Sequence, residues 1–284
     1  MRMPLLSQRD FLISGLDTGV KLMAFSYGKA PIFYAHLMIK AGAERDPLGK
    51  EGLSDLVAES LTLGTRLKGP QELNREIEGL GASLEATSHW DFSMLSLSGP
   101  LEYLRDLLRI LREVLLEPSF PEDELSKAKQ RRMAKLMELK DNVPRIADRT
   151  IWNLAMEGTP YAHPIGGTLN SVPGLAQKDV VQFFRETYIP QQAVFLIVGK
   201  ADPQRLLEES RRALEGWPPG GAGQDLPSTS RQGGRKVLIL DRPDLTQSEI
   251  RIALPGVARQ NRRYLAFKLM NYILGGGGFS SWLM

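Results

Sequence analysis

Apolar and polar positions alternate from Phe33 to Ala41, with Phe33, Ala35, Leu37, Ile39 and Ala41 set against Tyr34, His36, Met38 and Lys40. That period of two predicts a strand with one buried face. The run Val20–Phe25 predicts a second strand, joined to the first as a hairpin through Ser26, Tyr27, Gly28 and Lys29. From Gly52 the spacing lengthens. Leu53, Leu56, Val57, Leu61 and Leu63 form one helical stripe that Gly64 and Thr65 end. Gln71–Glu78 predicts a short charged helix stopped by Gly79 and Gly81. Alternation returns over Leu84, Ala86, Trp90, Phe92 and Met94, with Glu85, Thr87, His89 and Asp91 opposite, and predicts one strand with those polar side chains on a single face.

Two long helical patterns follow, Glu102–Leu115 and Glu122–Lys140; the second begins with acids and ends in lysine, as the helix dipole prefers. Arg145–Met156, Lys178–Thr187 and Pro203–Leu214 predict further helices, and the continuous apolar run Ala193–Val198 predicts a buried strand. Strands, then helix pairs, then a strand indicate an α+β domain whose helices cover one sheet face. Pro218–Gly234 holds five Gly and three Pro, the composition of a linker. Beyond it, Lys236–Leu240 and Glu249–Leu254 predict strands and Arg262–Leu274 a helix. This order repeats the opening of the chain, so the expected organisation is a first domain over 1–217, a linker over 218–234, and the shortened beginning of a second homologous domain over 235–284.

Composition narrows the chemistry. The 284 residues carry 36 Lys+Arg against 33 Asp+Glu, a formal charge of +3, with no cysteine and three histidines, His36, His89 and His163. Without cysteine there are no disulfides, thiolate zinc sites or cysteine nucleophiles within these residues. The small net charge argues against a nucleic-acid footprint. The basic run Lys127, Lys129, Arg131, Arg132, Lys135 and Lys140 shares its helix with Glu122, Asp123, Glu124 and Glu138, and reads as a solvated charged face. No apolar stretch approaches the roughly 20 residues of a membrane span. The first ten residues lack the apolar core of an export signal.

Several segments carry a joint resemblance. They are Lys40–Pro47 (KAGAERDP), Gly52–Thr65 (GLSDLVAESLTLGT), Gly81–Thr87, Asp141–Pro144, His163–Thr168 (HPIGGT), and Tyr188–Pro190 ahead of the apolar strand and Gly199. In this order and spacing the chain resembles the insulinase and pitrilysin family of inverted-zincin metallopeptidases, which includes the mitochondrial processing peptidase. The resemblance implies a domain of a mixed, mainly antiparallel sheet covered on one face by helices, repeated in tandem. Two such repeats or subunits close over a peptide.

Active members carry H-x-x-E-H on the helix between Gly-Leu and Gly-Thr, two imidazole ligands and a glutamate that activates the zinc-bound water. Aligned on Gly52 and Gly64, this chain has Asp55 and Glu59 at the ligand positions and Ala58 at the general-base position. Leu136 falls at or next to the third ligand. Two carboxylates without imidazole or thiolate hold zinc poorly, and a methyl group takes no proton from water. Asp55 and Glu59 therefore read as solvated or salt-bridged helix carboxylates, with weak oxygen ligation of a hard cation as the alternative.

Glu85, Thr87, His89 and Asp91 are candidates for lining a peptide chamber, against the alternative of a solvated polar sheet face. His36 reads as a structural or exposed histidine, and His163 as part of a family turn. Gly275, Gly276, Gly277 and Gly278 follow a helix and lack a phosphate-loop ending; the resemblance implies a substrate-handling segment there, and ordinary helix capping is the alternative. The function implied is that of a non-catalytic subunit that binds no cofactor and pairs with an active, zinc-bearing homologous subunit acting on peptides, with a homodimer also possible. The alternatives are a structural scaffold of the core-protein type and a peptidase with a rebuilt metal site.

Overall fold

The computed structural model describes residues 11–221, 234–243 and 245–284. The first ten residues and 222–233 of the expected linker lie outside that set. Strands form at Leu12–Gly15 (β1), Lys21–Ser26 (β2), Ile32–Ile39 (β3), Ser83–Ser88 (β4), Ser93–Pro100 (β5) and Ala193–Gly199 (β6). Helices form at Leu53–Ser60 (α1), Pro70–Gly79 (α2), Leu104–Leu116 (α3), Glu122–Glu138 (α4), Val143–Ala155 (α5), Gln177–Thr187 (α6), Pro203–Leu214 (α7) and Tyr264–Asn271 (α8). The described residues divide into two compact units, Met1–Asp241 and Arg242–Met284.

In the first unit the six strands make one sheet in the order β1-β2-β6-β3-β5-β4. β2 and β6 run parallel and the other neighbours antiparallel, the mixed, mainly antiparallel sheet expected. The expected hairpin of β2 with β3 does not form, because β6 lies between them. An all-apolar strand is most stable with neighbours on both sides and a packed face. The five residues Tyr27–Pro31 can bridge one intervening strand, a span of about 9.6 Å at about 4.8 Å per strand. β1 was not expected from the pattern.

One row of side chains runs across five strands on the helix-covered face: Leu22, Phe195, Leu37, Leu95 and Ala86 are register partners in turn. The first four are fully buried. Leu104, Leu107, Leu108 and Leu111 of α3 and Leu206, Leu207 and Leu214 of α7 complete this core. Their spacing puts them on one stripe of each helix. On the opposite face the matching row reads Met23, Leu196, His36, Ser96 and Glu85, apolar at the centre and polar toward β4.

The single strand expected over Leu84–Met94 is a hairpin instead. β4 ends at Ser88, which pairs with Ser93, and the His89 N–H donates to the Phe92 carbonyl at 2.8 Å across the turn. Alternation continues through the turn by coincidence of residue type, and periodicity alone cannot register a reversal of direction. His89 and Asp91 therefore do not share a strand face with Glu85 and Thr87.

In the second unit, 249–254 is irregular and exposed rather than a strand, as is 236–240 at the end of the first unit. Apolar alternation becomes a strand only where a neighbouring ladder satisfies its backbone, and neither run has one among the described residues. α8 continues into a wider π-helical turn over Tyr272–Gly276, and the Trp282 and Leu283 N–H groups donate back to Ile273 and Leu274 carbonyls at 3.1 and 2.9 Å. No described helix is long and apolar enough to cross a membrane.

Because Phe195 closes the buried row from the sheet centre, Phe195→Ala should cost about 3–5 kcal/mol, and Leu196→Ala on the other face clearly less. Urea-unfolding midpoints of the two variants measure the contrast; equal losses would contradict the assignment of faces.

Candidate functional site

α1 packs on β4 and β5 and between α4 and α6. Leu53, Leu56, Val57 and Ala58 are buried against these neighbours. Its start is built closely. Gly52 adopts φ +94°, and a Cβ there would sit 2.8 Å from the Gly167 Cα. Glycine is therefore required at position 52 for both conformation and approach. The Asp46 carboxylate accepts from the Gly52 and Ser54 N–H groups at 2.7 Å each, satisfying donors that the first helical turn leaves open. Burial pushes the Asp46 carboxyl up to about 6, while those two bonds and nearby His163 pull it down. The turn Pro164–Gly167 lies beneath Gly52, and Ser171 Oγ donates to the Glu51 carbonyl at 2.8 Å. The residues His163–Thr168 thus seat the helix start.

Asp55 and Glu59, one helical turn apart, face α4. Arg132 of α4 reaches between them, with Nη1 2.9 Å from Asp55 Oδ2 and Nη2 2.7 Å from Glu59 Oε2. Nη1 also donates to the Gly52 carbonyl at 3.2 Å. Arg131 adds a contact of 3.0 Å to the other Glu59 oxygen. The Arg132 side chain is only 9% exposed, while the carboxylates are 29% and 33% exposed. Burial raises the Asp55 carboxyl; Arg132 opposes this, Glu59 reinforces it, and Lys135 and His89 act from further out in the lowering direction. The salt-bridged reading of these carboxylates describes the geometry.

Zinc does not fit this donor set. Both carboxylates are engaged by a guanidinium that reaches between them, Ala58 of the same turn offers only a methyl group, and Leu136 of α4 is a buried apolar side chain that offers no ligand atom. Among the described residues no three His, Asp or Glu side chains gather as a metal-binding group.

Arg132 entered the sequence reading only as part of a basic run. A signal was nevertheless present: its helical neighbours at three and four residues are Ala128, Lys129, Lys135 and Leu136, with no acid among them. Lys127, by contrast, pairs with Asp123 and Glu124 on its own helix, and Lys129 donates to the Pro173 and Leu175 carbonyls.

Of the other candidates, Glu85 and Thr87 are exposed on the outer side of β4. His89 stacks on Phe92 at 4.6 Å in the turn, and Asp91 accepts from the Tyr161 hydroxyl at 2.7 Å. His36 Nδ1 is 3.0 Å from Ser96 Oγ, its neighbour across the ladder. Gly275 and Gly276 lie in the π-helical turn of the second unit, and Gly278 takes φ +59° just after it.

The sequence profile described as "Insulinase (Peptidase family M16)" matches residues 23–169, and that described as "Peptidase M16 inactive domain" matches 175–284. The chain belongs to the insulinase (M16) family. It is 26% identical over 256 residues to the non-peptidase homolog YmxG of Helicobacter pylori, covering 89% of this chain and 58% of that protein. It is 21% identical over 264 residues to cytochrome b-c1 complex subunit 1 of Bos taurus, covering 93% of this chain and 55% of that one. The fold superposes on a peptidase M16 inactive domain from Pseudomonas fluorescens with a TM-score of 0.80 at 22% identity, over 95% of this chain and 66% of that one. The periplasmic protease PqqL of Escherichia coli gives a TM-score of 0.71 at 18% identity, over 80% of this chain and 26% of PqqL. The chain thus spans only 58% and 55% of the length of these two relatives.

Arg132→Met leaves two adjacent carboxylates without their shared cation, and should destabilise the chain by about 1–3 kcal/mol, less than a fully buried pair because both acids are partly solvated. Adding Asp55→Asn and Glu59→Gln should recover most of that loss. Urea unfolding of the single and triple variants is the measurement, and a single variant as stable as the parent would remove the bridge from the stability of α1.

Proposed function

We propose that this chain is a non-catalytic subunit of an insulinase-family zinc peptidase, forming a peptide-binding chamber with an active, zinc-bearing homologous partner. The observation that carries the proposal is the Arg132 guanidinium held between Asp55 and Glu59, on the helix that carries Ala58 and that the resemblance aligns with the zinc-binding helix of the family's active members. A fixed organic cation satisfies the carboxylates without offering an open coordination position, so the helix retains its electrostatic balance and lacks Lewis-acid and base chemistry. The likeness to a protein named as a non-peptidase homolog favours the same reading.

The sheet supports a peptide-handling role beside that helix. β4 pairs only with β5 among the described residues, and its other edge offers backbone donors and acceptors to an extended peptide. Ser88 at the end of β4 meets Ser54 of α1 at 3.3 Å, so this edge borders the helix itself. In this reading Glu85 and Thr87 face the peptide from the strand, while His89 and Asp91 border it from the turn. For Gly275–Gly278 the resemblance implies a substrate-handling role. One further reading follows from another observation. The likeness to a cytochrome b-c1 subunit favours a structural scaffold. A rebuilt metal site at Asp55 and Glu59 would require Arg132 to leave.

The test is to co-purify the chain with its nearest H-x-x-E-H-bearing homologue from the same genome and to follow cleavage of an unfolded peptide. The pair should cut several-fold faster than the homologue alone, Glu85→Lys should lower the gain, and zinc should travel with the homologue. No gain in the complex supports the scaffold reading instead. Stoichiometric zinc in this chain alone, lost on Asp55→Ala, would sink the proposal.

A further inference from the structure

A second polar cluster lies apart from the Arg132 bridge. The Tyr161 hydroxyl is 2.7 Å from Glu44 Oε2 and 2.7 Å from Asp91 Oδ1. Both are ordinary O–H···O separations, yet a phenol carries a single hydrogen. It can donate to one carboxylate only. With both acids ionised, the second contact would set lone pair against lone pair between two negative groups. The arrangement is satisfied when one carboxyl carries a proton and donates it to the phenol oxygen while the phenol donates to the other. The Glu44 side chain is 11% exposed, which favours its neutral form.

The surrounding charges support that proton count. Burial raises the Glu44 carboxyl and Asp91 raises it further, while the Tyr161 bond and Arg45, whose Nε is 3.9 Å from Glu44 Oε1, act in the lowering direction. Burial and the two acids together raise the Tyr161 phenol, so it stays a donor. Asp46 and His163 stand next in the two loops, and His89 neighbours Asp91 in the turn. α5 joins the cluster through Trp152 and carries Arg145, Asp148 and Arg149 along its length.

Three chain segments meet here, and they are held differently. The Ala43 and Glu44 N–H groups donate to the His89 and Trp90 carbonyls at 2.9 and 3.0 Å, bonds that titration of the acids leaves intact. The segment around Tyr161 is held to the other two by the phenol and by ring packing, with Trp90 at 5.9 Å from Tyr161 and 5.5 Å from Trp152. Trp152 Nε1 in turn donates to the Tyr161 carbonyl at 2.8 Å. We propose that Glu44 and Asp91 share one proton through the Tyr161 hydroxyl at neutral pH, and that its loss to solvent at higher pH unlatches the 156–163 segment from the β4–β5 turn. The latch stands on this chain alone and does not require the partner proposed above.

Infrared spectra in D₂O and tryptophan emission test it. The wild-type minus Glu44→Gln difference at neutral pH should contain a carboxylic-acid C=O band worth about one group, and that band should vanish at a higher pH together with a change in tryptophan emission and faster amide exchange over 156–163. Gln keeps a neutral donor to the phenol, so Glu44→Gln should hold the low-pH emission throughout. Tyr161→Phe should show the high-pH emission throughout. A difference spectrum with carboxylate bands alone at neutral pH would overturn the proposal. So would a pH response of emission and exchange that Glu44→Gln leaves unchanged.

Discussion

The Arg132 guanidinium between Asp55 and Glu59 is the contact on which the arrangement around α1 depends. It joins a helix packed on the sheet to a helix that covers it, and it does so from an almost wholly buried position. Two carboxylates a helical turn apart repel each other and resist burial, and both costs are offset by one planar cation that meets an oxygen of each. The same guanidinium accepts a third task by donating to the Gly52 carbonyl at the start of α1. Charge balance and helix entry are therefore both served by one side chain.

This places the chain in an instructive relation to the insulinase family. At the seam between α1 and α4 the guanidinium neutralises the charge of both carboxylates. A catalytic metal keeps an exchangeable position for water, whereas a guanidinium presents only donors, and here its Nη1 and Nη2 are directed at Asp55, Gly52 and Glu59. α1 itself is seated by Leu53, Leu56 and Val57 in the common core, and the guanidinium sets the charge along its α4-facing side.

Much of the fold was legible from periodicity. α7 has the expected limits and α1 its expected apolar stripe, since amphipathic stripes bounded by Gly, Pro and acidic starts are local signals. The strand partners were not legible. Whether Val20–Phe25 pairs with the next strand or admits β6 between them depends on contacts more than 150 residues apart in sequence, beyond any local pattern. The turn at His89–Phe92 was hidden for the opposite reason: its residues continue the alternation of the strands that flank it. That turn removed His89 and Asp91 from the face of Glu85 and Thr87, and gave Asp91 to Tyr161.

For the site itself, residue types alone set what the helix offers. Asp55, Ala58 and Glu59 present carboxylate oxygens and a methyl group on one helix face, because ligand character belongs to the side chain. What those carboxylates do instead was decided by the tertiary structure. Arg132 lies 73 positions beyond Glu59, and Tyr161 lies 117 beyond Glu44. Such pairings arise when packed helices and loops bring unrelated segments within about 3 Å, the reach over which a hydrogen-bonded charge pair forms.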